Sequence, residues 1–148
     1  MSGAAMGAMN RVEFRVGAED PLGYACGLLR SAVAKGARLL VRVDSRQLDA
    51  LDARLWTFSS LDFIAHCRAG DPTEARSAVV LSTGDAPRAA HARDCLINLA
   101  EAQLPDWQDW PRVIEIVGAD AASKAAARQR FRAYREAGCE PTTVELTP

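Results

Sequence analysis

The sequence predicts an α/β fold: a single-domain, three-layer α/β/α sandwich around a mainly parallel sheet. The length of 148 residues suits one domain. Short β-branched and leucine-rich runs alternate with segments of helical periodicity, which is the pattern of parallel strands joined by crossover helices. No strand is followed by GxGxxG, and no GxxxxGK followed by Ser or Thr occurs. The predicted fold is therefore Rossmann-like without a phosphate loop.

Apolar periodicity predicts the elements in order. Residues 10–16 alternate apolar and charged side chains, which indicates a strand with one apolar face. Asp20 and Pro21 suit the N-cap and first position of a helix, and Gly36 suits the position just past its end. The predicted strands are 10–16, 38–43, 61–67, 77–83, 95–100, 112–118 and 141–146. Two further helices are predicted at 45–56 and 119–137, with a short helical turn carrying Trp107 and Trp110, whose rings are expected to lie in the core.

Nothing in the sequence divides the folded part of the chain. Residues 1–9 are mostly small and are expected to form a disordered leader, followed by one domain over residues 10–148. The longest uncharged stretch is the opening ten residues, which is shorter than the roughly 20 apolar residues of a membrane span. It also lacks the basic start of a secretory signal. A cytoplasmic protein is the expectation.

Charge and cysteine content narrow the possible functions. Eighteen basic and 19 acidic residues leave a net charge of −1, which argues against coating nucleic acid through bulk positive charge. The four cysteines show no CxxC or zinc-knuckle spacing, so they are interpreted as scattered buried thiols. These are Cys26, Cys67, Cys95 and Cys139.

No residue pattern supports catalysis, a metal or a cofactor. The two histidines, His66 and His91, are 25 residues apart without a carboxylate or cysteine at ligand spacing, so structural roles are expected. No GxSxG motif occurs. Asp49 and Asp52 are interpreted as a solvated helix face opposite leucines. We therefore expect a protein that is not an enzyme and has no cofactor and no metal site.

The last helix, residues 119–137, has an unusual distribution of charge. At 100° per residue, four cations and one aromatic side chain share an arc of about 100°. These residues are Lys124, Arg128, Phe131, Arg132 and Arg135. Alanines lie on the opposite side and are expected to face the sheet, which turns the cations outward. The alanines are Ala122, Ala126, Ala133 and Ala137.

Three interpretations of this arrangement remain open on the residues alone. The cations could form a solvated face, with Phe131 packed against a neighbouring element. They could hold nucleic-acid phosphates directly, which is the alternative function. An aromatic side chain amid exposed cations also suits an acidic peptide or a small anion that ends in an apolar group.

The sequence resembles a known family, the chi subunit of bacterial DNA polymerase III, over residues 10–146. DCLINL at residues 94–99 is similar to the family's D-x-L-I-x-L strand. Leu55-Trp56 with Phe63 and His66 resembles its L-W…F-x-P-H segment. The strand at 112–117 resembles the family's strand before its last helix. The arginine-rich helix that follows it and ends in YREAG resembles the family's helix ending in Y-R-x-x-G. Four such segments in order are specific.

The resemblance implies a non-catalytic accessory subunit of the polymerase holoenzyme in DNA replication. Its implied partners are the psi subunit of the clamp loader, as a heterodimer, and the acidic, phenylalanine-terminated C-terminal tail of single-stranded DNA-binding protein. A helicase is a possible alternative partner, and nucleic acid is contacted only indirectly. No membrane is implied.

The resemblance also implies which residues contact these partners. The tail-binding positions are Val117, Lys124, Arg128, Phe131 and Arg132, where Val117 and Phe131 form the wall for the terminal phenylalanine. Trp56 and Phe63 match an aromatic cluster for psi or the alternative helicase. The chain departs from the family in Ala65, where proline is usual, and in Phe131, where a tyrosine may occur in the family.

Overall fold

The computed structural model describes residues 11–57, 64–84, 93–102 and 106–147. Its strands are β1 (Arg11–Ala18), β2 (Leu39–Arg42), β3 (His66–Arg68), β4 (Val79–Ser82), β5 (Cys95–Asn98), β6 (Arg112–Gly118) and β7 (Thr142–Glu145). The helices are α1 (Pro21–Ala34), α2 (Ser45–Thr57) and α3 (Ala121–Glu136). Short 3-10 turns lie at Glu74–Arg76 and Trp107–Asp109. The expected leader and Phe63 lie outside the described residues.

The described strands form one seven-stranded sheet in the order β3-β4-β2-β5-β6-β1-β7. Every neighbouring pair is parallel, which confirms the predicted sheet class. Parallel neighbours need crossover connections, and the predicted helices supply those from β1 to β2, from β2 to β3 and from β6 to β7. The predicted last strand is present as β7, an edge strand that pairs with β1.

The helices cover both faces of the sheet, which confirms the three-layer sandwich. On one face, α1 and α2 bury an aliphatic cluster that includes Leu29, Leu51 and Ile97. On the other face, α3 and the turn at Trp107–Asp109 cover a cluster with Phe14 and Val113. Both faces are buried, as expected for a parallel sheet. None of the helices within the described ranges is both long and apolar enough to cross a membrane.

The start of α1 follows the predicted capping pattern. The Asp20 carboxylate accepts a hydrogen bond from the Gly23 N–H, and Pro21 occupies the first turn. The same carboxylate is bound by both terminal nitrogens of Arg54 on α2, at 2.6 and 2.8 Å. This fork holds the two helices of one layer together. Gly36 has φ of +86°, the left-handed conformation expected just past the helix.

Three smaller predictions concern the two tryptophans of the helical turn, the cysteines and the bounds of one strand. Trp107 and Trp110 are 6% and 1% exposed, which confirms their core positions. Three of the four cysteines are buried as expected, whereas Cys139 is only partly buried. The strand predicted at 61–67 begins at His66 among the described residues, where its register with Val79 of β4 begins.

The predicted core side of α3 is wrong. The buried residues of this helix are Ala127, Arg130 and Tyr134, whereas Ala122 and Ala137 are exposed. The reason lies in β6 beneath the helix, which places the carboxylate of Glu115 in the middle of the buried face. The helix turns Arg130 and Tyr134 toward that carboxylate, because an unpaired charge there would be costly.

Candidate functional site

The predicted cations of α3 form an exposed band, which we call the basic stripe (Lys124, Arg128, Arg132 and Arg135). Arg128, Arg132 and Arg135 are exposed, and Lys124 is partly buried at the first turns. The helix starts at Asp120, whose carboxylate accepts hydrogen bonds from the backbone N–H and the hydroxyl of Ser123. The stripe thus points away from the sheet as predicted, although the alanines are not what turns it outward.

Most cations of the basic stripe have no acidic partner within the described ranges. Arg135 lies 3.6 Å from the carboxylate of Glu140. For the other three cations, no acidic group among the described residues forms a salt bridge. These cations are therefore available to an external anion.

Phe131 lies at the boundary between the basic stripe and the core. Its ring is 5.2 Å from that of Phe14 between centroids, and, like Val16 and Cys139, it packs against the apolar cluster between the sheet and α3. It is only partly buried, and Arg128 and Arg135 lie three and four residues away on the same helix, which places them beside it. Val117 belongs to the same cluster but is 1% exposed, so it forms the floor beneath the helix rather than an open wall.

The crevice beside Val117 opens on the other flank of α3. It has a volume of about 190 Å³ and lies at the carboxyl ends of β5 and β6, where open α/β sheets bind ligands. Its lining includes Asp44, Glu101, Asp120 and Arg130 but no residue of the basic stripe. Three acidic side chains against the two arginines Arg46 and Arg130 leave this edge net acidic, which disfavours a nucleotide phosphate and agrees with the missing phosphate loop.

Sequence reasoning missed a buried network beneath α3 (Asn98, Glu115, Arg130 and Tyr134). Glu115 is fully buried; Arg130 Nε donates to its Oε1 at 2.9 Å, and the Tyr134 hydroxyl donates to Oε2 at 2.6 Å. Asn98 donates its amide N–H to Oε1 at 3.0 Å. Arg130 Nη1 also donates to the Glu101 carbonyl oxygen at 2.7 Å. The network ties α3 to β5 and β6.

Burial and neighbouring groups shift the pKa values of Glu115 and Tyr134. Burial raises the pKa of Glu115, while the charge of Arg130 and the hydrogen bonds from Tyr134 and Asn98 act in the opposite direction. Burial also raises the pKa of Tyr134, and the adjacent carboxylate raises it further. The Tyr134 hydroxyl therefore keeps its proton and donates to Glu115. These hydrogen bonds fix the orientation of α3 on the sheet. They lie on the buried side of the helix, away from the basic stripe.

The second predicted surface centres on Trp56 at the end of α2. Its side chain is 58% exposed, the largest exposure among the bulky apolar residues that the structure describes. Its ring lies 4.7 Å from the ring of His66 between centroids, at an angle of 56°. Phe63, the other residue predicted here, lies outside the described residues. The exposed indole together with His66 is called the tryptophan surface below.

Asp52 is not the freely solvated residue that the sequence predicts. Its carboxylate lies 2.8 Å from His66 Nε2 and accepts a hydrogen bond from Arg68 Nε at 2.8 Å. Asp49 is exposed, but it also binds Arg68, at 2.7 Å. The two aspartates tie α2 to β3 because their partners lie on the neighbouring strand, which helix spacing alone does not reveal. His91, the other histidine for which a structural role is expected, lies outside the described residues.

Comparison with known proteins decides the family. Residues 9–142 match the family described as DNA polymerase III chi subunit, HolC. The chain belongs to the DNA polymerase III chi subunit family. It is 38% identical over 135 residues to DNA polymerase III subunit chi of Pseudomonas aeruginosa, which covers 88% of this chain and 92% of that protein. The corresponding protein of Haemophilus influenzae is 31% identical over 124 residues, covering 82% and 85%.

Membership of the chi family gives the chain a role in DNA replication as a subunit of DNA polymerase III. DNA polymerase III subunit chi of Escherichia coli is 28% identical over 120 residues, covering 80% of this chain and 81% of that protein. The matched region of the chi family spans both surfaces, from Trp56 to the basic stripe. In the described ranges, no cluster of three or more His, Cys, Asp or Glu side chains could hold a metal ion.

Proposed function

We propose that this chain is a non-catalytic, cytoplasmic accessory subunit that links the polymerase holoenzyme to coated single-stranded DNA. It binds the acidic, phenylalanine-terminated tail of single-stranded DNA-binding protein through the basic stripe, and it pairs with the psi subunit through the tryptophan surface. Contact with nucleic acid is indirect.

The observation that carries the proposal is the basic stripe beside a half-buried phenylalanine. Arg128 and Arg132 are exposed, and neither has an acidic partner in the described part of the chain. A guanidinium can bind a terminal carboxylate with two hydrogen bonds, so Arg128 suits the end of the tail. Lys124 and Arg132 then face the acidic residues that precede it, and Phe131 offers an apolar edge to the terminal ring.

The interaction free energies expected at the basic stripe favour weak binding of a single tail. Exposed ion pairs are worth about 0.2–1 kcal/mol each and weaken with salt, while burying a phenylalanine adds about 1.5–3 kcal/mol. Ordering a flexible tail offsets part of this sum. Useful affinity then comes from several tails on one oligomeric DNA-coating protein, which raise the effective concentration of the tail.

The tail site can be tested by reversing one charge of the basic stripe. Arg128→Glu should weaken binding of a tail peptide by about 2- to 30-fold, because each lost attraction of about 0.2–1 kcal/mol becomes a repulsion of similar size. The difference should shrink at higher salt. Calorimetric titration of both proteins at two salt concentrations measures both effects.

The matched control is Arg46→Glu, which reverses an exposed arginine of α2 outside the stripe. Its affinity for the peptide should equal that of the wild type within about twofold. Equal affinities for Arg128→Glu and Arg46→Glu would contradict the proposal. A mobility shift with naked single-stranded DNA tests the alternative, and binding lost in Arg128→Glu would favour a direct nucleic-acid binder instead.

The psi contact is proposed at the tryptophan surface because permanent interfaces contain desolvated aromatic residues. Trp56→Ala should weaken psi binding by about 5- to 30-fold, the effect of losing about 1–2 kcal/mol. Val144→Ala is the matched control, since Val144 is the other large apolar residue exposed in the described chain, at 40%. Co-purification and titration with psi measure the effect, and equal retention of psi by the two variants would argue against this contact.

A further inference from the structure

The strand β7 lies at one edge of the described sheet, where β1 is its only neighbour among the described strands. Just past the strand, the Leu146 N–H donates to the Val16 carbonyl oxygen at 2.8 Å. Successive residues of a strand direct their backbone groups to opposite edges, so Val144 also faces β1, whereas Thr143 and Glu145 face outward. Each of these two residues has an N–H and a carbonyl oxygen with no strand partner within residues 11–57, 64–84, 93–102 and 106–147.

The basic stripe lies on the flank of α3 that faces β7. The opposite flank carries Arg130 and lines the crevice beside Glu101, and no residue of the basic stripe lines that crevice. On the stripe side, the Phe131 ring lies 5.2 Å from the Phe14 ring of β1 between centroids. Phe14 is the register partner of Thr143 in β7. An extended chain on the outer edge of β7 lies two strand spacings, about 10 Å, from β1, beside the flank that carries the cations.

The side chains of β7 on this face leave the charge positive. Thr143 and Glu145 point to the α3 side of the sheet, because their register partners Phe14 and Val16 pack against the apolar cluster under α3. The basic stripe, the turn after α3 and β7 together carry four cations and two carboxylates, those of Glu140 and Glu145. The net charge of +2 favours an acidic chain on this edge over a neutral or basic one.

We propose that the acidic tail binds as an added strand on the outer edge of β7, with its backbone paired to Thr143 and Glu145. The inference rests on the proposed tail site at the basic stripe and specifies how the tail is held there. Strand addition gives affinity through main-chain hydrogen bonds, and specificity comes from alternate side chains. Every second side chain of the tail then faces α3, where the acidic groups meet the cations and the terminal ring meets Phe131.

A scan of N-methylated tail peptides tests the pairing on the wild-type chain. A methyl group on one backbone nitrogen removes one N–H donor and leaves the side chains and the terminal carboxylate in place. In an added strand every second N–H points to β7, so methylation at alternate residues should weaken binding by about 2- to 10-fold for each lost hydrogen bond. Methylation at the residues between them should change the affinity by less than about twofold. Calorimetric titration measures the series.

Two substitutions of Thr143 test the same pairing from the side of the chain. Thr143→Pro removes the outward N–H without removing a hydrogen bond to β1, and edge strands accept proline where the N–H faces solvent. Thr143→Ala removes the side chain and keeps the N–H. The tail peptide should therefore bind Thr143→Pro about 2- to 10-fold more weakly than Thr143→Ala. If Thr143→Pro does not fold, the peptide scan on the wild type still decides the pairing.

Amide hydrogen exchange measures the pairing without relying on affinity. The N–H groups of Thr143 and Glu145 should exchange rapidly in the free chain, and saturating tail peptide should slow both. The Arg68 N–H is the matched control on the opposite edge strand, β3. It also faces outward, because the next residue, Ala69, donates its N–H to Leu81 of β4 at 2.8 Å. Its exchange should not slow when the peptide is added.

The failure of strand addition is distinguishable from the failure of the tail site. A peptide scan without alternation, in a chain whose binding Arg128→Glu still weakens, would overturn strand addition and leave the tail site standing. Equal binding by Thr143→Pro and Thr143→Ala, or unchanged exchange at Thr143 and Glu145, would overturn it as well. Binding that alternates in the scan but is indifferent to Arg128→Glu would support strand addition and contradict the proposed role of the basic stripe.

Discussion

Replacing Arg130 by methionine should lower the free energy of unfolding by about 3–5 kcal/mol, the usual cost of removing one partner of a buried ion pair. Arg130 is 7% exposed and is the cation bound to Glu115, which is fully buried. Methionine is similar in length and apolar, so the loss reports the carboxylate left without its cation. Urea unfolding of both proteins measures the difference.

This loss should depend on pH, with a definite sign. Without Arg130, burial raises the pKa of Glu115 further above its value in the unfolded chain, and the folded variant then binds a proton that the unfolded chain releases. Such a group stabilises the fold fully below the unfolded pKa, and the stabilisation is lost as the pH rises. The variant should therefore be closer to wild type near pH 5 than near pH 8, with a slope of up to about 1.4 kcal/mol per pH unit.

Two further variants show whether the ion pair is responsible. Arg128→Met changes an exposed arginine of the same helix and should alter stability by about 0.5 kcal/mol or less. The double variant Arg130→Met with Glu115→Met removes both charges and should recover much of the loss. A loss in Arg130→Met no larger than that in Arg128→Met, or one independent of pH, would show that the pair does not hold α3.

Replacing the terminal phenylalanine of the tail peptide by alanine should weaken binding by about 10- to 150-fold. The change removes about 1.5–3 kcal/mol of apolar burial while it leaves the terminal carboxylate in place. The ring is proposed to pack against Phe131, which is partly buried and borders the cations. Titration of the two peptides against the wild-type chain measures the ratio.

The expected ratio separates a mixed site from a purely electrostatic one. A site that acts through charge alone would bind both peptides within about twofold. An alanine substitution at the first position of the same peptide serves as the control and should change little. The effect of the terminal ring should also persist at high salt, where exposed ion pairs weaken and apolar burial does not.

The sequence predicted the layers and most elements because their signals are local. Alternation in β1, proline after an N-cap in α1, and apolar runs in the central strands all depend on neighbours within a few residues. The order of the strands could not be predicted, because it depends on pairing between segments far apart in the chain. Arg128, Arg132 and Arg135 are exposed as predicted and Lys124 is partly buried, although the prediction depended on placing the alanines against the sheet.

The orientation of α3 about its axis was predicted wrongly, and Glu115 explains why. Alanines permit close packing, so they were assigned to the core, but a carboxylate on the buried face of β6 demands a cation opposite it. The signal was present in the sequence: Val113, Glu115 and Val117 alternate on one face of a central strand. A charge at such a position calls for a buried partner, and Arg130 is the arginine outside the exposed arc.

The arrangement of the layers has a consequence for the two proposed contact surfaces of this chain. α2 packs over β4 on one face and α3 over β6 on the other, three strands apart in the sheet. Three strand spacings come to about 14 Å sideways, more than the distance of about 8 Å over which physiological salt screens charge. Charge on one proposed occupant should therefore not alter the field that the other meets, and added salt should not change any coupling between the two proposed contacts.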